Sequence, residues 1–321
     1  MKNIFEKLTV AAAVVAALVS CQKAQVEKEY NLMVYAAEAP ETAEVPETAE
    51  APETAEVTQT KTHLDANRNV LWDSSSEKMR IFCASDKDAE PAYADSENAT
   101  LSDGGKKATF SFNFSGIESA NNFIYGGVYP SSAVSKAKQL SNVRLLLPSV
   151  QNPTATTYDP AAFIMVAKPQ TFTEVQKTLN QRFRKVVALN KVTLTGLNLA
   201  EGEKVRSVTF TAPYYGFACA QYFSLSSGDA TGYDSVADDS SKSITLNYAT
   251  PFTPTGGTFD AWFTSWETLI SGGQSLGVEV VTDKARYIRN AYTDNKKTVT
   301  FKEGKFNTLT VTMDTADKTT L

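Results

Sequence analysis

Residues 108 to 114 read Ala-Thr-Phe-Ser-Phe-Asn-Phe, an alternation of apolar and polar side chains with a period of two. Because successive side chains of a β-strand point to opposite faces, this pattern predicts a strand with one face in a core and the other in solvent. The core face would be formed by Ala108, Phe110, Phe112 and Phe114. The stretch therefore indicates β-structure for the chain around it.

Similar short runs recur on both sides of this strand, separated by Gly, Pro, Asn, Asp and Ser at intervals of about 8–15 residues. Helical periodicity is weak, and only residues 131–140 and 173–179 are candidates for short helices. The sequence therefore predicts an all-β protein. The further candidate strands are 78–83, 123–129, 163–167, 186–197, 205–211, 243–248, 259–263, 276–281, 298–301 and 309–313.

The composition limits what the folded part can do. The chain has 321 residues, of which 42% are hydrophobic, so it can bury real cores and is not disordered throughout. One histidine and three cysteines leave little for imidazole catalysis, a multi-histidine metal site or a disulfide scaffold. We expect no enzyme activity, no cofactor and no metal.

The N-terminus has the layout of a secretory signal. Lys2 and Lys7 precede an apolar stretch, residues 8–19, that is too short to span a bilayer comfortably. The stretch ends in Leu18-Val19-Ser20-Cys21, which resembles a bacterial lipobox. That resemblance implies cleavage after residue 20 and acylation of Cys21, so that the chain is anchored in the outer membrane and exposed at the cell surface. The alternative is an ordinary signal peptide that leaves Cys21 a plain thiol.

The acidic net charge of −5 comes from one segment. Residues 38–56 repeat the pattern (A/V)PETAE, with seven glutamates, three prolines and no basic residue. Proline at this density prevents a helix, and a three-residue period matches polyproline II, so the segment is expected to be an extended tether of roughly 60 Å. The remaining body is close to neutral and has no dense basic stripe, so nucleic acid is not an expected partner.

Several short motifs, in order along the chain, resemble the fimbrillin family of Bacteroidales surface lipoproteins. The body opens with Thr60-Lys61-Thr62, then Val70-Leu71-Trp72-Asp73 and Met79-Arg80-Ile81-Phe82, as the family does. Each motif is short, and their order carries more weight than any one of them. The other matching segments are 125–130, 147–151, 162–167, 183–189 and 301–307.

The resemblance implies transthyretin-like β-sandwiches, a role in fimbriae or cell adhesion, and other fimbrial subunits as partners. A polar stretch around Pro169 separates two strand-rich blocks, each of a size that suits one sandwich. The expected parts are a lipoprotein signal peptide (residues 1–20), an N-terminal strand segment (21–37) and a repeat linker (38–59). Two fimbrillin-like β-sandwiches follow, an N-terminal one (60–170) and a C-terminal one (171–321).

In such pilins a protease cuts after a basic residue, the N-terminal strand leaves, and a strand from another subunit takes its place. Residues 29–36 alternate well enough to be the removable strand; the alternative is a permanent edge strand. No lysine or arginine lies between Lys28 and Lys61, so the candidate processing sites are Lys61 and Arg68, which could equally be solvated surface charges. The polar C-terminus, residues 314–321, makes a poor donor strand, which favours a tip or accessory subunit.

The rival hypothesis is a glycan-binding surface lipoprotein of a polysaccharide-uptake system. Trp262 and Trp266 could stack on sugar rings if exposed, although core packing is favoured because Trp262 lies in an alternating apolar run. The lone histidine, His63, is expected to be an exposed bystander. Cys83 and Cys219 are expected to be buried thiols in different domains, with a disulfide as the alternative.

Overall fold

The structure is a computed structural model, and it describes residues 30–38, 62–64, 70–72, 78–85, 90–115, 117, 120–226, 229–233, 241–292 and 297–321. This part of the chain forms β-strands joined by turns and three short 3₁₀-helices, at Asp103–Gly105, Ser131–Ala133 and Pro160–Ala162. The expected all-β class is confirmed. Within the described ranges, no helix is both long and apolar enough to span a bilayer.

The strands of the first half are two to nine residues long. In chain order they are β1 (Tyr30–Glu38), β2 (Thr62–Leu64), β3 (Val70–Trp72), β4 (Arg80–Ser85), β5 (Ala92–Asp95), β6 (Thr100–Ser102), β7 (Lys107–Phe114), β8 (Phe123–Tyr129), β9 (Val134–Ala137), β10 (Val143–Leu146), β11 (Val150–Gln151), β12 (Met165–Ala167) and β13 (Gln170–Phe172).

The strands of the second half are longer on average. They are β14 (Thr178–Lys185), β15 (Ala188–Thr195), β16 (Val205–Thr211), β17 (Ala220–Ser224), β18 (Asp229–Tyr233), β19 (Ser243–Phe252), β20 (Phe259–Ser265), β21 (Thr268–Ile270), β22 (Ser275–Thr282), β23 (Ala285–Tyr292), β24 (Val299–Phe301), β25 (Phe306–Thr312) and β26 (Asp317–Thr320).

Four sheets contain most of these strands. The largest has nine strands in the order β5-β4-β8-β12-β14-β1-β7-β6, with β13 also paired to β8. A six-stranded sheet has the order β11-β19-β16-β22-β23-β26, and a three-stranded sheet the order β20-β15-β25. A four-stranded sheet, β18-β17-β10-β9, joins strands from both halves of the sequence.

The expected boundary between residues 170 and 171 does not separate the sheets. Strand β14 follows that boundary but lies in the middle of the large sheet, paired with β12 on one side. Strands β10 and β11 precede it but pair with β17 and β19. The division into two sandwiches therefore stays a prediction, and the strand pairings join the two halves closely.

A buried glutamine strengthens this connection. Gln151 is fully buried; its amide nitrogen donates to the Thr264 carbonyl at 2.7 Å, and its amide oxygen accepts from the Thr264 N–H at 3.0 Å. The Thr264 hydroxyl donates in turn to the Ala162 carbonyl at 2.7 Å. The Gln151 amide nitrogen also donates to the nearby Pro148 carbonyl at 3.3 Å, but its other bonds join the two halves. Because these buried bonds would break if the halves separated, the two halves are expected to unfold together.

The two helix candidates are corrected by the structure. Only Ser131–Ala133 forms a 3₁₀ turn, and the chain then enters β9, which pairs with β10. Residues 173–177 contain bends but no helix, and β14 begins at Thr178. In both places pairing with a strand distant in sequence outweighs a weak local preference, as is common for short segments.

Candidate functional site

The first strand, β1, lies in the interior of the nine-stranded sheet. It runs antiparallel to β7 along residues 30–37 and parallel to β14 along residues 33–38. The strand predicted at residues 29–36 is therefore present, but its alternative placement at a sheet edge is wrong. The pairing on both sides gives β1 two ladders of backbone hydrogen bonds instead of one.

The alternation of β1 explains which of its faces is buried. Leu32 and Val34 are 2% and 0% exposed, whereas Met33 and Tyr35 between and after them are 38% and 47% exposed. This is the period of two expected of a strand with one face in a core. The strand is thus held by two apolar side chains on one face, and the other face meets solvent.

The neighbouring strands provide the pockets for these side chains. The register places Val34 between Phe110 of β7 and Leu179 of β14, both of which are buried. Leu32 lies opposite Phe112, which is also buried. Fully burying one such aliphatic side chain contributes about 1.5–3 kcal/mol. Strands β7 and β14 therefore form the walls of a groove, and β1 is the strand that occupies it.

Each wall of this groove is also held by contacts that do not involve β1. Strand β14 pairs with β12. Strand β7 pairs with β6, and its Ser111 carbonyl accepts from the Glu97 N–H at 3.0 Å. The ring of Trp72 packs edge-on against Phe110 of β7 at 5.5 Å and Phe183 of β14 at 6.0 Å. Trp72 thus contacts both walls of the groove.

One buried polar side chain among the described residues of the groove lacks hydrogen-bond partners. Gln181 of β14 is 1% exposed, and within the described part of the chain neither its side-chain nitrogen nor its side-chain oxygen has a hydrogen-bond partner. Leaving a buried polar group unpaired costs about 1–3 kcal/mol. The register places Gln181 opposite position 36 of β1. Sequence analysis missed this residue, although a polar residue between the apolar Leu179 and Phe183 could have indicated it.

A surface depression of about 310 Å³ lies where β1 ends. Lys107 and Arg182 both face Ala37 in register, one from each neighbouring strand, so the depression has a positively charged rim. Lys107 also forms a loose ion pair with Asp103 at 3.6 Å. The lining residues are Tyr35, Ser102, Lys107, Ala108, Thr109, Asn180, Gln181 and Arg182.

Most of the predicted anchoring and processing residues lie outside the described residues. This applies to Cys21, to the repeat linker, to Lys61 and to Arg68. His63 lies on strand β2, which pairs with β3. Position 68 falls between these two strands, so a cut there would leave β3 and its buried Trp72 with the body of the protein.

The two tryptophans proposed for glycan stacking differ in their placement. Trp266 is 1% exposed, and its indole N–H donates to the Cys219 carbonyl at 2.9 Å, so it has no ring face available to a sugar. The core packing that the sequence favours is therefore confirmed for Trp266, and the alternative of glycan stacking is wrong for this residue. Trp262 is only partly buried, with Lys191 Nζ 5.8 Å and the Phe306 ring 5.7 Å from its own ring.

Exposed tyrosines lie elsewhere on the second half. Tyr214 and Tyr215 are 57% and 70% exposed, in the turn that follows β16. The Tyr214 hydroxyl contacts the Gln274 amide, and Lys242 Nζ lies 4.6 Å from the centre of the Tyr215 ring. A cation above a ring fixes its orientation. These two rings offer flat apolar surface to a ligand.

A buried carboxylate, Glu203, is the main electrostatic feature of the second half. Burial would raise the pKa of this carboxyl, but hydrogen bonds from the Thr282 hydroxyl, the Ala200 N–H and the Tyr287 hydroxyl outweigh burial and lower the pKa. Lys318 of β26 adds a smaller attraction. The arrangement stabilises the packing of the C-terminal strand and is fully satisfied, so it is structural.

The described residues contain no group of three or more His, Cys, Asp or Glu side chains that could hold a metal ion. Cys83 and Cys219 are both buried reduced thiols, as expected, and no disulfide joins them. The site with the clearest functional character is therefore the groove between β7 and β14, filled by a strand that is remote in sequence from both walls.

Comparisons with known proteins concern the fold. No protein-family model matches the sequence, and no curated protein matches it. A proposed cell adhesion protein from Bacteroides ovatus has a similar structure, with 11% identity, a TM-score of 0.47, and coverage of 92% of this chain and 97% of that chain. A proposed cell adhesion protein from Bacteroides fragilis has 11% identity, a TM-score of 0.48, and coverage of 91% and 97%.

A fimbrial assembly protein from Parabacteroides distasonis is also similar in structure, with 8% identity, a TM-score of 0.38, and coverage of 91% of this chain and 94% of that chain. Because identities this low establish no shared function, the function has to be argued from the groove and from the sequence.

Proposed function

We propose that this protein is a non-enzymatic cell-surface subunit of fimbriae that acts in cell adhesion and is joined to other subunits by β-strand addition. The observation that carries the proposal is the position of β1. It is the first strand of the described residues and is joined in sequence to the body through the acidic repeat, yet it occupies the interior of the largest sheet.

The physical basis of assembly is the groove that β1 fills. Without β1, the facing edges of β7 and β14 would expose unpaired N–H and C=O groups along both ladders, and the pockets of Leu32 and Val34 would be empty. An incoming strand with the same alternation would satisfy both the backbone groups and the pockets. Because both walls have other contacts, the groove can persist while strands are exchanged.

The N-terminal features complete this proposal. Lipidation of Cys21 would anchor the chain in the outer membrane, because several acyl chains each contribute about 0.8 kcal/mol per buried CH₂. The repeat of residues 38–56 would carry the body away from the membrane surface. Cleavage after Lys61 or Arg68 would release the lipid, the repeat and β1 together.

The C-terminus supports a tip or accessory position. Strand β26 pairs with β23 at the edge of the six-stranded sheet, and all four of its side chains are exposed. Strand β25 pairs along its length with β15. Both C-terminal strands are therefore used within this chain, and β26 lacks the apolar alternation that a donor strand needs.

The proposal is tested by following β1 after proteolysis. The mature chain is cut with an arginine-specific protease, and its uptake of a labelled peptide of residues 29–37 is measured against a peptide of the same composition in scrambled order. We expect a cut at Arg68 and uptake of the native peptide only. A chain that is cut but retains β1 permanently, and that never enters filaments, would refute strand addition.

A second candidate function, glycan binding in a polysaccharide-uptake system, is favoured by one observation. The exposed rings of Tyr214 and Tyr215 and the partly exposed ring of Trp262 offer aromatic surface on the second half. Glycan arrays with the native chain and with Trp262→Ala and Tyr215→Ala variants test it. Binding that both variants retain would exclude these rings as the site.

A further inference from the structure

The unsatisfied amide of Gln181 distinguishes one position of the groove from all others. The inward-facing residues of β14 around it are Leu179 and Phe183, which are apolar and buried, as a core position requires. A glutamine amide has two donor hydrogens and an acceptor oxygen. Buried amides in native proteins are nearly always hydrogen-bonded, so an orphaned one needs an explanation.

The register shows which residue could satisfy it. On one side the chain after β12 continues along β14: the Lys168 N–H donates to the Arg182 carbonyl at 2.8 Å, and the Gln170 amide nitrogen donates to the Asn180 carbonyl at 3.0 Å. Neither of these bonds involves the Gln181 amide. On its other side Gln181 faces position 36 of β1, and position 36 faces Ala108 of β7. Position 36 is an alanine, which has no side chain that can form a hydrogen bond. Both residues in this row beside Gln181, at positions 36 and 108, are therefore alanines in the sequence.

We infer that Gln181 determines which strand the groove accepts, by hydrogen bonding to a serine, threonine or asparagine that the incoming strand carries at the place of residue 36. This inference rests on the proposed strand addition and specifies its partner. The preferred strand has three inward positions in the order apolar, apolar and polar, aligned with residues 32, 34 and 36. It runs antiparallel to β7 and parallel to β14, as β1 does.

The unpaired amide of Gln181 also favours the replacement of β1 by another strand over the reverse replacement. Strand β1 fills the two apolar pockets but leaves the amide unpaired, so it is a good occupant but not the best one. A strand with a hydroxyl at the third position keeps the same backbone ladders and adds one buried hydrogen bond. Replacement of β1 by such a strand is therefore favourable even when every other contact is equal.

The first test uses the intact chain and does not require exchange. Ala36→Ser is made in the native chain and in a Gln181→Met chain, and urea unfolding is measured for all four proteins. A net hydrogen bond corresponds to an increase of about two- to tenfold in the folded-to-unfolded ratio. We expect this increase with Gln181 and not with methionine, whose flexible side chain replaces the amide without polar groups.

A matched control places a hydroxyl one inward position earlier. Val34→Thr sets a hydroxyl beside Leu179 and Phe110, whose side chains cannot accept a hydrogen bond from it, and should lower the folded-to-unfolded ratio in both backgrounds. An equal effect of Ala36→Ser with Gln181 and with methionine at position 181 would overturn the inference.

The second test measures selection between strands. The mature chain is cut after Arg68 and keeps β1 in the groove. It is then offered two labelled peptides of residues 30–37, one with alanine and one with serine at position 36. About two- to tenfold tighter binding of the serine peptide, lost in Gln181→Met, supports the inference. Equal binding of both peptides overturns it but leaves strand addition standing. Binding of neither peptide to the cut chain refutes strand addition itself, whatever the first test shows.

Discussion

Truncation of Leu32 to alanine tests whether β1 is an integral strand of the large sheet. Leu32 is 2% exposed and lies opposite the buried Phe112. Removing a buried leucine side chain to its Cβ costs about 2–5 kcal/mol, because transfer energy is lost and a cavity remains. The matched control is Met33→Ala at the next position, which is 38% exposed and should change stability by less than about 0.5 kcal/mol.

The assay is urea unfolding of the mature chain, followed by fluorescence. With a slope of about 3 kcal/mol per molar urea, the leucine variant should shift the midpoint by about 0.7–1.7 M and the control by less than about 0.2 M. A second readout uses the chain cut after Arg68. The fragment that contains β1 should dissociate from it at least about 30-fold faster in the Leu32→Ala variant. Equal behaviour of the two variants in both assays would refute the burial of β1 and the groove argument with it.

Three other predictions concern the rest of the body. Gln151→Leu leaves the Thr264 N–H and carbonyl without their side-chain partner and should lower the free energy of unfolding by about 2–5 kcal/mol in urea titration; a change below about 0.5 kcal/mol would show that the two halves do not depend on this bridge. Gly257→Ala should be far more destabilising than Gly256→Ala by thermal unfolding. Both glycines have positive φ, but a Cβ at 257 would lie 2.2 Å from the Leu197 carbonyl oxygen, whereas nothing lies within 4 Å of one at 256; equal losses would contradict this close approach. Because hydrogen bonds lower the pKa of Glu203 in the folded state, its ionised carboxylate stabilises the fold above its unfolded pKa, and this stability is lost as the pH falls through the folded pKa. Stability measured against pH should therefore fall more steeply toward acid in the native chain than in Glu203→Gln, and parallel curves would refute this assignment.

Much of the strand content could be predicted from local pattern. The alternation of residues 108–114 appears as β7 with Phe110 and Phe112 buried, and the alternation near the N-terminus appears as β1 with Leu32 and Val34 buried. Such patterns report which face of a strand meets a core, because the side-chain period of a strand is two. They say nothing about which strands are neighbours.

The predictions that failed did so because local patterns do not show which strands are neighbours. Residues 134–137 form a strand instead of part of a helix because β10 is available to pair with them. For Trp266 the sequence left glycan stacking open as an alternative, which the contacts with the Cys219 carbonyl and the ring of Phe223 exclude. Gln181 could be noticed as a polar residue at an inward position. Its lack of a hydrogen-bond partner could not be predicted, since that depends on which residues of the neighbouring strands lie beside it.

The sequence by itself determined the all-β class, the alternating faces of the strands and an acidic, proline-rich segment between the first strand and the body. These are local properties, which depend on side-chain period, backbone restriction and charge. Only the tertiary structure decided that β1 lies between β7 and β14 instead of at an edge, and that strands on both sides of residue 170 share sheets. The physical reason is that strand pairing joins backbone groups far apart in sequence, and residues 30–38 meet residues 107–114 and 178–185 only once the chain has folded.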